Sequence, residues 1–404
     1  MLPKKTKHQL EVYFLKVLYL TNSEVPATQA NGIQVYNMAK AMKLLGYAVT
    51  IHGFSTKLFV KEMFFNEKSD YDGIELKLTR FLSLNRKLRK ILHIFIGWLA
   101  TAKHLIRRKQ TIVFSRCPYS MLAAQVFRFN CIYESHTFPS SRIRLRLEQY
   151  FITSSTVQFV TISNALAKVY VSNTNGNVSN SIKVAHDGVD TSRFCEATYY
   201  ESNEIDGLFT LINQLRSRSA FIASYTGSFF EGKGARQIVE IAKILPNVDF
   251  IVAGGSANQL LSRAEISELS NIHVIGKLAY DRIPILLQYS DCLLLPAQKL
   301  VRSAGGDDIS KFMSPLKLFE YMASGKVVLA SDLDVLREVI EDHVDGILLP
   351  PDDIHMWASK LAEIKSNYSR YSHLAENAKV KVQERYSWEV RVRNLFGIYN
   401  ETIN

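Results

Sequence analysis

Cysteine is scarce in this chain, with only four in 404 residues. Cys117, Cys131, Cys195 and Cys292 are scattered, without the close, even spacing of a disulfide framework or the paired spacing of a zinc site. That argues against a disulfide-stapled secreted fold and fits a reducing compartment. Long apolar runs are missing too. None reaches the roughly 18 residues that a membrane-spanning helix requires, so no span is expected. Lys4, Lys5 and Lys7 ahead of an apolar stretch resemble the start of a signal peptide, but Lys16 interrupts the stretch and no small-residue cleavage site follows. Lys16 to Leu20 reads instead as a first strand. No internal repeat or low-complexity tract is evident, and no site for a metal or a cofactor is assigned.

Acidic residues are few in the first half. Residues 1–205 hold 27 Lys+Arg against 14 Asp+Glu, a net of +13, whereas residues 206–404 hold 22 against 24, a net of −2. Part of the excess lies in Leu84 to Gln110. There Leu84, Leu88, Ile91, Leu92, Phe95, Leu99 and Ile106 recur on one helical face, opposite Arg86, Arg89, Lys90, Arg107 and Arg108. Such a helix suits an anionic bilayer, with Trp98 at the boundary, if its apolar face is not packed on a sheet. Arg142, Arg144 and Arg146 extend the basic surface.

With 47% hydrophobic residues the chain is globular, and 404 residues are too many for one ordinary core. Strands are expected near 16–20, 48–54, 74–80, 111–115, 131–135, 157–162 and 182–186. They alternate with helices from about Ile33, Leu84, Tyr119, Ser141 and Ser163. This βα rhythm predicts a doubly wound α/β domain with a parallel sheet. The division expected is residues 1–205, residues 206–385, and a last helix over 386–404 carrying Trp388, Val392, Leu395 and Tyr399 on one face.

The second half holds the segments that suggest chemistry. In Ser314-Pro315-Leu316-Lys317-Leu318-Phe319-Glu320, Ser314 is expected as N-cap and Pro315 as the first helical residue. The free amides of Leu316 and Lys317, at the positive end of the helix dipole, then suit a phosphate, and the Lys317 ammonium adds to them. Glu320, an acceptor, suits a sugar hydroxyl beside that phosphate. Upstream, Tyr225-Thr226-Gly227-Ser228-Phe229-Phe230-Glu231-Gly232-Lys233-Gly234 leaves a strand and enters a helix. Its glycines permit close backbone approach, and Lys233 suits a diphosphate. Strand ends at Gly254-Gly255 and Pro296 face the same crevice.

The order of these segments resembles the retaining GT-B glycosyltransferases of family 4, also called group 1. Asn31-Gly32-Ile33-Gln34-Val35, Tyr133-Glu134-Ser135-His136 and Ala185-His186-Asp187-Gly188-Val189-Asp190 carry the likeness into the first half. The resemblance implies two Rossmann-like domains facing a cleft, with the last helix crossing back to the first domain. It also implies metal-independent transfer of a sugar from a nucleotide diphosphate sugar to a glycan or lipid-linked hydroxyl, as in surface polysaccharide synthesis. The donor would lie on Gly32, Gly227, Ser228, Lys233, Ser314, Pro315, Leu316, Lys317 and Glu320, with His136 and Lys233 as the catalytic groups. Two positions depart from the family pattern: Phe312 stands where a first glutamate is usual, and Ser228 where an arginine is usual. A binding protein with reduced catalysis is one alternative, and an epimerase on the same fold a lesser one. Nucleic-acid binding by the basic half is a third, although that half lacks a nucleic-acid motif and no nucleic-acid partner is expected. The setting expected is cytoplasmic, peripheral on the inner face of a membrane.

Overall fold

The structure is a computed structural model and describes residues 15–25, 30–55, 74–80, 86–174, 182–194, 207–302, 306 and 308–401. The first part runs β1 (Lys16–Glu24), α1 (Ala30–Leu44), β2 (Ala48–Ser55), β3 (Glu75–Arg80), α2 (Arg86–Lys103), β4 (Thr111–Ser115), α3 (Pro118–Val126), β5 (Asn130–Ser135), α4 (Arg142–Thr153), β6 (Val157–Thr161), α5 (Asn164–Asn173) and β7 (Ile182–Val184). The second runs α6 (Gly207–Ser217), β8 (Ile222–Thr226), α7 (Ala235–Ile244), β9 (Asp249–Ala253), α8 (Ala257–Leu260), α9 (Arg263–Glu268), β10 (Ile272–Val274), α10 (Ile283–Gln288), β11 (Cys292–Leu295), α11 (Leu316–Ala323), β12 (Val327–Ser331), α12 (Asp334–Arg337), β13 (Ile347–Leu349), α13 (Ile354–Ser366) and α14 (Tyr368–Arg385), followed by α15 (Trp388–Glu401).

Two sheets result, ordered β3-β2-β1-β4-β5-β6-β7 and β10-β9-β8-β11-β12-β13, with every recorded pairing parallel. Parallel strands covered by helices on both faces read as unbroken apolar runs. Val327–Ser331, for example, is buried at all five positions. In each sheet the strand order reverses once, between β1 and β4 and between β8 and β11. The crevice beyond the strand ends at such a reversal is where open α/β sheets take ligands.

The last helix returns to the first domain. Trp388, Val392, Leu395 and Phe396 of α15 lie in one apolar cluster with Val17, Val35, Met38 and Ile51. The Phe396 ring stacks on Phe114 at 6.2 Å. The segment 84–110 departs from the single helix expected. Its α-helix ends at Lys103, and a 3-10 turn covers Leu105–Gln110. Its small residues Gly97, Ala100 and Thr101 face inward, Gly97 so close to α3 that an added Cβ would lie 3.2 Å from Ser120 Oγ. Because this face packs, the bulky one is left outside: Ile91 is 63% exposed, Phe95 60% and Ile106 fully. Trp98 Nε1 donates to the Tyr119 carbonyl of α3 at 3.2 Å. The side chains of Arg86, Arg89 and Lys90 and the stretches 175–181 and 195–206, Cys195 among them, lie outside what is described.

Candidate active site

β8 ends at Thr226, and the chain turns at Gly227 with φ +136°. An added Cβ there would lie 2.6 Å from Lys317 Nζ, so the glycine makes room for the lysine head. Lys317 Nζ is buried without a hydrogen-bond partner among the described residues and sits 3.9 Å from the centre of the Tyr225 ring. A cation–π contact offsets part of its desolvation. Burial, aided by the charge of Lys233 and opposed by Glu320, pushes the Lys317 ammonium well below its ordinary pKa. Burial alone lowers Lys233. The Tyr225 hydroxyl braces the turn by donating to the carbonyls of Ser228 at 3.0 Å and Lys233 at 3.3 Å. Gly227, Ser228, Lys233 and Lys317 are therefore brought together. Ser228 takes part through its backbone.

The start of α11 differs from the expected cap. Pro315 is the N-cap residue, and Leu316 is the first residue of the helix. Proline has no side-chain acceptor, so the amides of Leu316 and Lys317 lack the cap that Ser314 was expected to supply. Ser314 Oγ instead accepts the Asp187 backbone N–H at 2.9 Å, tying the helix start to the first domain. Leu316 packs against the core beneath α15. Phe312 packs against the first-domain cluster that includes Leu18 and Tyr133. The position where a glutamate is usual in the family thus joins the two halves.

Glu320 is 7% exposed, and burial pushes its carboxyl up to about 7 against the pull of Arg193 and Lys317. Arg193 lies over the Tyr280 ring at 3.7 Å, and Asn37 of α1 donates to the Tyr280 hydroxyl at 3.0 Å. A carboxyl whose folded pKa exceeds the unfolded value of about 4.3 stabilises the fold fully below that pH and loses the contribution as pH rises through 7. Glu320→Gln does not ionise. Its melting temperature, followed by calorimetry, is expected to gain on wild type between roughly pH 4 and 7. A difference constant across that range would show that no buried carboxylate is being charged.

His136 lies across the cleft, 20% exposed, after β5. Its Nε2 bonds Glu134, which is fully buried and ion-paired with Arg391 of α15 at 2.7 Å. Burial would raise Glu134, but Arg391, with His136 and Arg116 behind it, holds it far below the usual carboxylate range. Burial and Arg116 lower His136 to about 4, so the ring is neutral at pH 7. Gln34 Nε2 donates to Glu134 at 3.3 Å and to Asp187, while Arg116 donates to Gln34 Oε1. Burial lifts Asp187 to about 7 against the pull of Arg391. A hydrogen-bonded path thus runs from His136 through Glu134, Gln34 and Asp187 to Ser314. Gly32 lies buried in the first turn of α1, two residues before Gln34. The roles of Gln34, Arg116, Asp187 and Arg391 were not evident in sequence, although Gln34 and Asp187 stand inside the quoted segments and Arg116 directly follows a strand end.

The halves are also joined by Glu338, whose carboxylate accepts the backbone N–H groups of Asn164 at 2.6 Å and Ala165 at 2.7 Å and meets His186 Nε2 at 2.8 Å. Two Asp-x-Asp pairs occur in the sequence. Asp70 and Asp72 lie outside the described residues, and Asp332 of the other pair is bound to Arg337.

Residues 212–381 match the family described as glycosyl transferases group 1. An uncharacterized glycosyltransferase of Methanocaldococcus jannaschii is 23% identical over 181 residues, 44% of this chain and 47% of that protein. A phosphatidyl-myo-inositol mannosyltransferase of Mycobacterium tuberculosis is 27% identical over 172 residues, 41% of each chain. The matched stretch spans about half the length of these curated relatives or less. Among solved structures, a glycosyltransferase from Rickettsia africae superposes with a TM-score of 0.70 at 18% identity, covering 97% of this chain and 99% of that one. Anabaena HepE in complex with UDP superposes with a TM-score of 0.67 at 15% identity, covering 96% and 99%. The chain therefore has the GT-B fold, and residues 212–381 of its second domain are similar to the group 1 glycosyltransferases.

Proposed function

We propose that the protein is a retaining, metal-independent glycosyltransferase. It moves a sugar from a nucleotide diphosphate sugar to a hydroxyl of a glycan or lipid-linked acceptor, in surface polysaccharide synthesis at the cytoplasmic face of a membrane. The observation that carries this reading is the buried, unpartnered Lys317 ammonium at the start of α11, beside Gly227 and coupled to Lys233. A buried amine with no partner among the described residues is costly in the free protein and is explained by an anion that arrives with the ligand and favours its charged form. As the bond from the anomeric carbon to the diphosphate oxygen breaks, charge develops on the leaving group. The amides of Leu316 and Lys317 and the two ammonium groups suit that charge. The acceptor oxygen then bonds the anomeric carbon from the same face, its proton passing to the departing phosphate. Glu320 accepts from the ribose.

UDP bound to HepE and the lipid in the name of the mycobacterial relative support a nucleotide donor and a lipid-linked acceptor. The test is a panel of nucleotide sugars, read by thermal stabilisation and then by transfer to lipid-extract acceptors. A ligand that binds only the native state raises the melting temperature by mass action. Stabilisation by none of the panel would remove the donor site from this reading.

The membrane part rests on the layer formed by α2, α3 and α4. Residues 86–153 contain 13 Lys+Arg and two acids, Glu134 and Glu148, both buried and paired with arginines. The exposed charge in this stretch is therefore of one sign. Beside it stand the exposed Ile91, Phe95, Ile106 and Ile143. Apolar groups among cations suit an anionic bilayer. Among the described residues no helix is long and apolar enough to cross one. Reversal of Arg107, Arg108 and Lys109 to glutamate is expected to abolish sedimentation with anionic vesicles, and salt to mimic the change. Equal binding to neutral vesicles would defeat the electrostatic account.

A further inference from the structure

Arg391 is 3% exposed although it comes from the last helix, and its guanidinium is surrounded by acceptors of the first domain. Its Nη2 donates to Glu134 Oε2 at 2.7 Å and to the Ala185 carbonyl at 3.0 Å. Its Nε donates to the His186 carbonyl at 2.7 Å, and its Nη1 approaches Met38 Sδ at 3.2 Å. Arginine does not deprotonate in proteins, so Glu134 faces a permanent cation and remains a carboxylate. An ionised carboxylate only accepts. The contact between Glu134 Oε1 and His136 Nε2 therefore requires the proton to be on Nε2. Burial of the ring and the fixed cations Arg116 and Arg391, which hold Glu134 at 4.0 Å and 2.7 Å, disfavour a second proton against the pull of Glu134 itself, while Asp187 is bound through Gln34. A neutral ring protonated on Nε2 has a bare Nδ1. Among the described residues, nothing donates to that nitrogen.

We infer that Arg391 is a positioning residue for the transfer reaction: through Glu134 it holds His136 as the Nε2–H tautomer, so that Nδ1 is presented as a hydrogen-bond acceptor. His136 then binds a donor, a hydroxyl of the sugar or acceptor, and does not supply a proton to a phosphate oxygen or carbonyl. This rests on the reading of the cleft as a glycosyl-transfer site. It also gives α15 a part in the chemistry beyond packing, since the orientation of a group on β5 depends on a residue at the far end of the chain.

The tautomer is tested without substrate. In the full chain labelled with 15N-histidine, long-range nitrogen–proton spectra at pH 7 are expected to place the single His136 proton on Nε2, with the signal assigned by its loss in His136→Asn. A proton on Nδ1, or on both nitrogens, overturns the inference whether or not the chain transfers sugar. Glu134→Gln and Arg391→Met are expected to mix the tautomers. In a donor-saturated transfer assay they should lower kcat by about a hundredfold while donor KM moves little, as misplacement of a reacting group does. Should either variant fail to fold, the wild-type spectrum still decides the tautomer. Folded variants with a wild-type kcat would remove Arg391 from the positioning role.

Discussion

Lys317→Met is expected to raise the melting temperature of the ligand-free protein while lowering turnover by about two to three orders of magnitude. The two effects have one cause. Lys317 Nζ is buried, unpartnered and held over Tyr225, with the like charge of Lys233 nearby. Leaving such a group unsatisfied costs about 1–3 kcal/mol in the free protein. A methionine of similar length fills the same space without that penalty, and each kcal/mol corresponds to roughly 2–4 °C for a domain of this size. In the donor complex the balance reverses, because the missing cation faced the charge that develops on the departing diphosphate. Calorimetry of the free protein and turnover at saturating donor read the two sides separately. A variant that loses stability and activity together would make Lys317 a structural residue, and one with unchanged turnover would take it out of the site.

Much of this was legible in sequence because parallel α/β units are specified locally. Short apolar runs such as Val327–Ala330 and Leu293–Leu295, bounded by Gly325 or Pro296, read as buried strands, and glycines at 227, 232 and 234 mark a turn that takes a positive φ. What was not legible depends on partners far away in the chain. Ser314 looked like an N-cap, since caps are read from neighbours. Its hydroxyl is instead engaged by Asp187, a residue 127 positions earlier. The apolar stripe of α2 predicts a buried face by its period alone. The structure buries Gly97, Ala100 and Thr101, because small residues allow α2 to approach α3 closely, and this leaves Ile91 and Phe95 outside. Arg391 had no local signal at all. An arginine within a polar helical stretch is usually solvated, and only the return of α15 onto the first sheet places it against Glu134.

That dependence leads to the largest effect expected on the fold. Ending the chain after Arg385 should unfold the first domain and spare the second. The deletion removes Trp388, Val392, Leu395 and Phe396, each at most 2% exposed in the core shared with β1 and α1. Truncating one buried Leu, Phe or Trp to alanine costs about 2–5 kcal/mol. Losing four such side chains with their helix therefore approaches the whole stability of a domain, roughly 5–15 kcal/mol. The deletion also removes the cation closest to the buried Glu134, leaving Arg116 at 4.0 Å. The second domain has a core of its own around Tyr225, Phe250 and Trp357, and supplies most of another around Phe319, Met322 and Val382, to which Val189 and Phe194 also contribute. It retains the turn at Gly227, Lys233 and the start of α11. Hydrogen exchange should thus find the amides of β1 to β7 unprotected and those of β8 to β13 protected, and limited proteolysis should leave a fragment beginning near Gly207. Nucleoside diphosphates should still bind that fragment, although the first-domain contacts to Ser314 and Tyr280 are gone. Wild-type protection of β1 and β4 in the shortened chain would mean that the first sheet holds its fold without α15, and that the returning helix only covers a core already stable.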